Sequence, residues 1–133
     1  MLKILTFGVY DFFHIGHLRL FKQCKKYADY LIVAVQDGNF ILKNKPNAKV
    51  LYSTNDRVEM IESIKYVNEV KVYETISPET LEKIDFDILA LGEDHLGERF
   101  DVAINWCNRN NKKVVRLKRT EGICSSDIKN KIK

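Results

Sequence analysis

The chain has 133 residues, 45% of them hydrophobic and 30% charged, and Lys plus Arg exceed Asp plus Glu by 22 to 18 for a formal net charge of +4. This balance fits a single soluble domain over residues 1–133, leaves no disordered tail, and offers no run near the roughly 18 apolar residues of a membrane span. The small basic excess suits a phosphate-bearing small molecule as readily as nucleic acid, while three separated cysteines without a C-x-x-C pair and an N-terminus without a signal-peptide pattern predict a reduced, cytoplasmic protein.

Residues 2–7, LKILTF, form an apolar run ending at Gly8, and DYLIVAV at 29–35 is a second; both read as buried strands. Between them Leu18, Phe21, Cys24 and Ala28 recur near helical spacing, with Arg19, Lys22, Gln23, Lys25 and Lys26 on the other face. Strand, helix, strand is a crossover unit that makes parallel neighbours. The segment 36–52, QDGNFILKNKPNAKVLY, shows no period and carries Lys43, Lys45 and Lys49, so it reads as a long functional loop.

Ser53 with Asp56 three residues on resembles a capping box, opening a helix over Val58, Met60, Ile61 and Ile64. NEVKVYE is a third strand, Ser77-Pro78 starts a short helix to about Ile84, and FDILALG at 86–92 is a fourth strand. A helix from about Phe100 to Asn110, a strand KVVRLK at 113–118 and a helix after Ser125 complete the pattern. The expected architecture is α/β: a Rossmann-like open parallel sheet of about five strands with helices on both faces.

Ligands of such sheets bind at the carboxyl ends of strands, and GVYDFFHIGH lies where the first strand gives way to the first helix. Gly8 permits close approach of backbone to ligand, the helix start offers free N–H groups to an anion, and Gly16 removes a side chain beside the bound group. His14 and His17, three apart, project to one side and can donate to the same phosphate oxygens. Fixed donors of this kind stabilise charge on an α-phosphate under attack, and an attacking phosphate needs no protein base. The competing reading, a metal pair, lacks a third ligand at suitable spacing, because His95 is remote in sequence. At the other end of the chain, Arg119 offers a planar fork, Gly122 a tight turn, and Ser125 and Ser126 a helix start: a second anion site. Ser125 also reads simply as an N-cap.

G-x-x-D-x-x-H-x-G-H followed by RTEGICSS at 119–126 resembles the HxGH nucleotidyltransferase superfamily, and within it the cytidylyltransferases, the bacterial glycerol-3-phosphate enzymes above all. The resemblance runs nearly the full length, through the lysine loop, Arg57 and ALGEDHLGERFD. It implies transfer of a cytidylyl group from CTP to an alcohol phosphate, with Mg²⁺ carried mainly by the triphosphate, no confident protein metal ligand, and a homodimer. Glycerol 3-phosphate is the implied acceptor, for wall or capsule precursors. Ribitol, glucitol or ethanolamine phosphate stay open as acceptors.

By the same resemblance His14 and His17 bind phosphates and stabilise the transition state, and Lys43 and Lys45 close over the triphosphate or the incoming phosphate. Arg119, Thr120 and Ser125 hold the β and γ phosphates, with Gly122 and Ile123 in the same nucleotide-binding motif. Phe7, Gly8, Val9, Asp11 and Gly16 contribute the nucleotide side of the first junction, Asp11 orienting a histidine or a metal-bound water or capping the turn. Gly92 and Asp94 enclose cytosine and ribose, Arg57 meets the phosphate of the second substrate, and His95 borders the acceptor. Lys49 is the weaker loop lysine.

Departures fall at Val9 and Cys124, where the family has Thr and Ser, at Ser125 for Thr, and at His95 and YETISPE, where the glycerol phosphate enzymes carry Trp. These bear on the acceptor pocket. An adenylyltransferase with the same chemistry and a nonenzymatic nucleotide-binding regulator are the rival readings; nucleic-acid binding is not expected, because LKNKPNAK lacks interleaved aromatics.

Overall fold

The computed structural model describes residues 1–93 and 95–118. Five strands, β1 (Lys3–Gly8), β2 (Tyr30–Gln36), β3 (Glu69–Tyr73), β4 (Ile88–Gly92) and β5 (Lys113–Leu117), alternate with α1 (Ile15–Tyr27), α2 (Gly38–Asn44), α3 (Thr54–Glu62), α4 (Pro78–Glu82) and α5 (Glu98–Arg109). Every strand pairing is parallel, in the order β3-β2-β1-β4-β5. This is the Rossmann-like sheet expected from the sequence, and its order reverses beside β1.

Strand alternation sends side chains to two cores. Leu5, Phe7, Ile32, Ala34, Leu89 and Leu91 pack with Leu81 of α4 and with Phe100, Ala103 and Cys107 of α5. Ile4, Leu31, Val33, Val35, Ile88 and Ala90 pack on the opposite face with Phe21 and Cys24 of α1 and Ile61 of α3. With both faces covered, β2 and β4 read as unbroken apolar runs rather than alternating ones.

Three helices start where side-chain caps dictate. Ser53 accepts from the Asp56 amide at 3.1 Å, Ser77 accepts from Thr80 at 3.3 Å with Pro78 following, and Asp37 accepts from Phe40 at 3.3 Å. The last of these corrects the sequence reading, which gave 36–52 as a loop throughout. Seven residues are too few to display a 3.6-residue period, and α2 is fixed by the Asp37 cap and by the Gly38 amide donating to Thr54 Oγ1 at 2.8 Å. The helix expected after Ser125 lies outside the described residues.

The register creates the opening the site uses. β1 pairs with β2 along its whole length, Lys3 with Tyr30 through Gly8 with Val35. It pairs with β4 only at Ile4 with Ile88 and Leu5 with Leu89. Beyond Leu5 the two strands part, and a crevice forms at their carboxyl ends where the sheet order reverses.

Candidate active site

At the mouth of that crevice, α1 begins with an unusual cap. His14 is the N-cap in extended conformation (φ −144°, ψ 177°), and its Nδ1 accepts from the Gly16 amide at 3.0 Å. His17 returns the arrangement, its Nδ1 accepting from the His14 amide at 3.2 Å. The pair forms a capping box built from imidazoles instead of Ser and Glu. A ring nitrogen that accepts from an amide carries a lone pair, so in neutral His14 and His17 the proton resides on Nε2. Both rings are thereby set as Nε2–H donors without needing a positive charge.

Stacking holds the planes. The His14 and His17 rings lie 4.0 Å apart at 27°, Phe13 stacks on His17 at 5.3 Å, and Tyr10 presents its edge to His17 at 5.2 Å and 78°. Tyr10 adopts a left-handed backbone (φ 59°), a conformation that costs a non-glycine residue about 1 kcal/mol or more. That turn tucks its ring beneath Gly8. A Cβ on Gly8 would fall 2.5 Å from Tyr10 Cζ, so here the glycine makes room for the aromatic that supports His17. Burial pushes the Tyr10 hydroxyl well above its usual range and keeps it neutral.

A cleft of about 370 Å³ lies in front, lined among others by Phe7, Gly8, Val9, Asp11, His17 and His95. A second hollow of about 340 Å³ adjoins it on the β2 side, lined by Val9, Asp11, Gln36, Lys45, Lys49 and Arg99 among others. Val9, Asp11 and Arg99 belong to both. Lys45 and Lys49 thus face one space, whereas Lys43 sits exposed in the last turn of α2.

Asp11 and Arg57 fasten this lysine segment. The buried Asp11 carboxylate accepts from the Leu51 amide at 2.6 Å and the Tyr52 amide at 2.8 Å, a clamp on backbone 40 and 41 positions away. Arg57 lies in the core. Read from the sequence as a ligand for the second substrate's phosphate, it is 0% exposed and donates through one terminal nitrogen to the Val9 and Gln36 carbonyls at 2.8 and 2.7 Å. Its Nε donates to the Tyr52 carbonyl and its other nitrogen to Thr54 Oγ1, each at 3.3 Å. Burial draws the guanidinium below its ordinary pKa, while the carboxylates of Asp11 and Asp37 oppose the shift. Arg57 ties the ends of β1 and β2 to α3.

The opposite wall comes from the turn after β4. His95 Nδ1 accepts from the Gly92 amide at 3.0 Å, and its ring stacks on Phe100 at 4.9 Å. Arg116 of β5 donates to the Gly92 and His95 carbonyls at 2.9 and 3.0 Å and pins the turn. Arg99 lies over the Phe100 ring at 4.8 Å, and its charge draws Tyr73 down against the burial that pushes that hydroxyl up to about 12. The sequence reading missed Arg99 and Arg116, since an exposed Arg in a helix or edge strand ordinarily signals only a solvated face. Asp94, Arg119, Thr120, Gly122, Ile123 and Ser125 lie outside the described residues. No group of three or more potential metal-ligating side chains occurs among the described residues, and both Asp11 oxygens are taken by amides.

Comparison with known proteins bears on this geometry directly. A family model described as cytidylyltransferase-like matches residues 5–131. A glycerol-3-phosphate cytidylyltransferase of Staphylococcus aureus is 36% identical over 135 residues, spanning 99% of this chain and 96% of that protein. An FAD synthase of Thermococcus kodakarensis is 34% identical over 95 residues, 70% of this chain and 63% of its own. Among solved structures, a lipopolysaccharide core biosynthesis protein of Thermoplasma volcanium superposes with a TM-score of 0.77 at 24% identity, covering 91% of this chain and 99% of that one, a likeness of fold. With the family model matching nearly its whole length and a paired-histidine helix start at the reversal of its sheet, the chain belongs to the cytidylyltransferase-like family of nucleotidyltransferases.

Proposed function

We propose that the protein transfers a cytidylyl group from CTP to an alcohol phosphate, with sn-glycerol 3-phosphate as acceptor, giving CDP-glycerol and pyrophosphate. The observation that carries the reading is the imidazole capping box at the β1/β4 crevice, in which Nδ1 of His14 and of His17 each accepts a backbone amide and Nε2 is the donor nitrogen of the ring. An oxygen of the acceptor's phosphate attacks the α-phosphorus, the bond to the pyrophosphate oxygen breaks, and the two imidazoles stabilise charge on the α-phosphate and bridging oxygens. The acceptor arrives as an anion, so no proton must be removed from it. Mg²⁺, carried mainly by the triphosphate, would supply charge neutralisation and Lewis-acid assistance.

Near-full-length similarity to a glycerol-3-phosphate cytidylyltransferase supports this acceptor, and the 95-residue match to an FAD synthase keeps adenylyl transfer as the second reading. The test is pyrophosphate release with Mg²⁺ and either CTP or ATP across glycerol, ribitol, glucitol and ethanolamine phosphates. Release with CTP and glycerol 3-phosphate is the expected result. Release with ATP alone transfers the protein to the adenylyltransferases, and a preference for another phosphate reassigns the acceptor.

A homodimer forms part of the same proposal. Exposed Leu42, Leu51 and Val72 line one hollow with Tyr52 beside edge strand β3, an apolar face suited to a second copy. Sedimentation should give twice the monomer mass.

A further inference from the structure

With Arg57 in the core, the phosphate of the second substrate needs another ligand, and the molecule supplies one. Arg99, in the first turn of α5, borders both the histidine cleft and the adjoining hollow that Lys45 and Lys49 face. Its guanidinium is steadied over the Phe100 ring, which is itself stacked on His95. Among the described residues no carboxylate lies within salt-bridge distance of Arg99, Lys45 or Lys49. Among the described residues the only acidic side chain on the hollow's wall, Asp11, has each oxygen engaged by a backbone amide. Three cations with no carboxylate partner among the described residues, set around a space of about 340 Å³, fit a small dianion better than they fit the extended surface of a polymer.

Topology decides which phosphate belongs there. In-line displacement puts attacking and leaving oxygens on opposite sides of the reacting phosphorus. The Lys45/Lys49 hollow lies at the end of β2, on one side of β1, where Gln36 forms part of its wall. Strand β5, which ends at Leu117, lies on the other side of β1. If residues 119–126 take the pyrophosphate, as the sequence expects, the nucleophile must enter from the β2 side.

We infer that Arg99, with Lys45 and Lys49, binds the phosphate monoester of the acceptor and aims its oxygen at the α-phosphorus held before His14 and His17. This rests on the cytidylyl-transfer reading and deepens it by assigning the acceptor half of the site. The class of acceptor that fits is a small alcohol phosphate, recognised chiefly through its dianion.

The experiment is steady-state kinetics of Arg99→Gln and Arg99→Lys against the wild type, with CTP and the acceptor varied separately and inorganic phosphate as inhibitor. Losing a charged donor to a phosphate corresponds to a KM increase of about tenfold or more. The expected result is that increase for the acceptor in Arg99→Gln, a parallel rise in the inhibition constant of phosphate competing with the acceptor, and a CTP KM changed less than about twofold. Arg99→Lys should recover part of the loss. An acceptor KM within twofold of wild type overturns the assignment, and so does a rise confined to the KM of CTP, which would move Arg99 to the triphosphate. The exposed position of Arg99 makes unchanged thermal unfolding the expected control; should Arg99→Gln unfold early, the phosphate inhibition of Arg99→Lys decides by the same criterion. Absence of turnover by the wild type with any acceptor instead removes the reaction itself, and this inference with it.

Discussion

Arg57→Met separates a structural guanidinium from a substrate ligand. Methionine keeps much of the apolar stem but leaves the Val9 and Gln36 carbonyls, bonded at 2.8 and 2.7 Å in the native protein, without their donors. A hydrogen bond to a charged group contributes roughly 1.5–3 kcal/mol, and a buried partner left unsatisfied loses at least as much. Counting the two short bonds at the lower figure and the two at 3.3 Å at nothing gives a loss of about 3 kcal/mol. For a chain of this size that is a fall in Tm of roughly 10 °C. Urea unfolding monitored by circular dichroism measures it, with the m value checked for constancy. Because the Val9 carbonyl lies in the β1 to α1 turn, kcat should fall together with stability. A loss below about 1 kcal/mol at unchanged m, accompanied by a raised acceptor KM alone, would falsify the structural role and return Arg57 to the substrate.

Three further outcomes follow from the same geometry. His17→Ala should lower kcat by about two orders of magnitude, the scale of one lost transition-state donor, and cost about 1 kcal/mol of stability for the missing cap on the His14 amide; a kcat within tenfold of wild type removes His17 from the chemistry. Asp11→Ala should release the Leu51 and Tyr52 amides, seen as at least tenfold faster hydrogen exchange at those two positions, and raise the KM of the substrate that Lys45 and Lys49 contact; unchanged exchange would show that the clamp does not hold the segment. Stability should fall as pH rises above about 9, because burial pushes the Cys24 thiol up to about 12 and Cys107 up to about 11, against ordinary values of 9.0. The unfolded chain then loses protons that the native state keeps, so the contribution is complete below pH 9 and erodes above it by roughly 1 kcal/mol per pH unit per thiol. Urea midpoints at pH 8 and pH 10 measure the decline, and a flat profile in that window contradicts the burial of both thiols.

The order of strands and helices was legible because each long element repeats a local rule. DYLIVAV is apolar throughout since both faces of β2 are covered, and Ser53, Ser77 and Pro78 mark helix starts through bonds made within three residues. The helix start in the HxGH segment was likewise legible, because its bonding is local: an N-cap, a glycine and a third-position histidine close their capping box within four residues. What no local rule contains is the partner of a long side chain. Arg57 meets Val9 and Gln36 from 48 and 21 positions away, and Asp11 meets Leu51 and Tyr52 across 40 and 41, so whether either charge faces a ligand or the backbone was decided only when β1, β2 and α3 packed together. Arg99 is the converse case: an ordinary surface residue by pattern, it was brought to the lysine hollow by the parting of β1 from β4 beyond Leu5, a feature of register that appears only when the sheet is assembled.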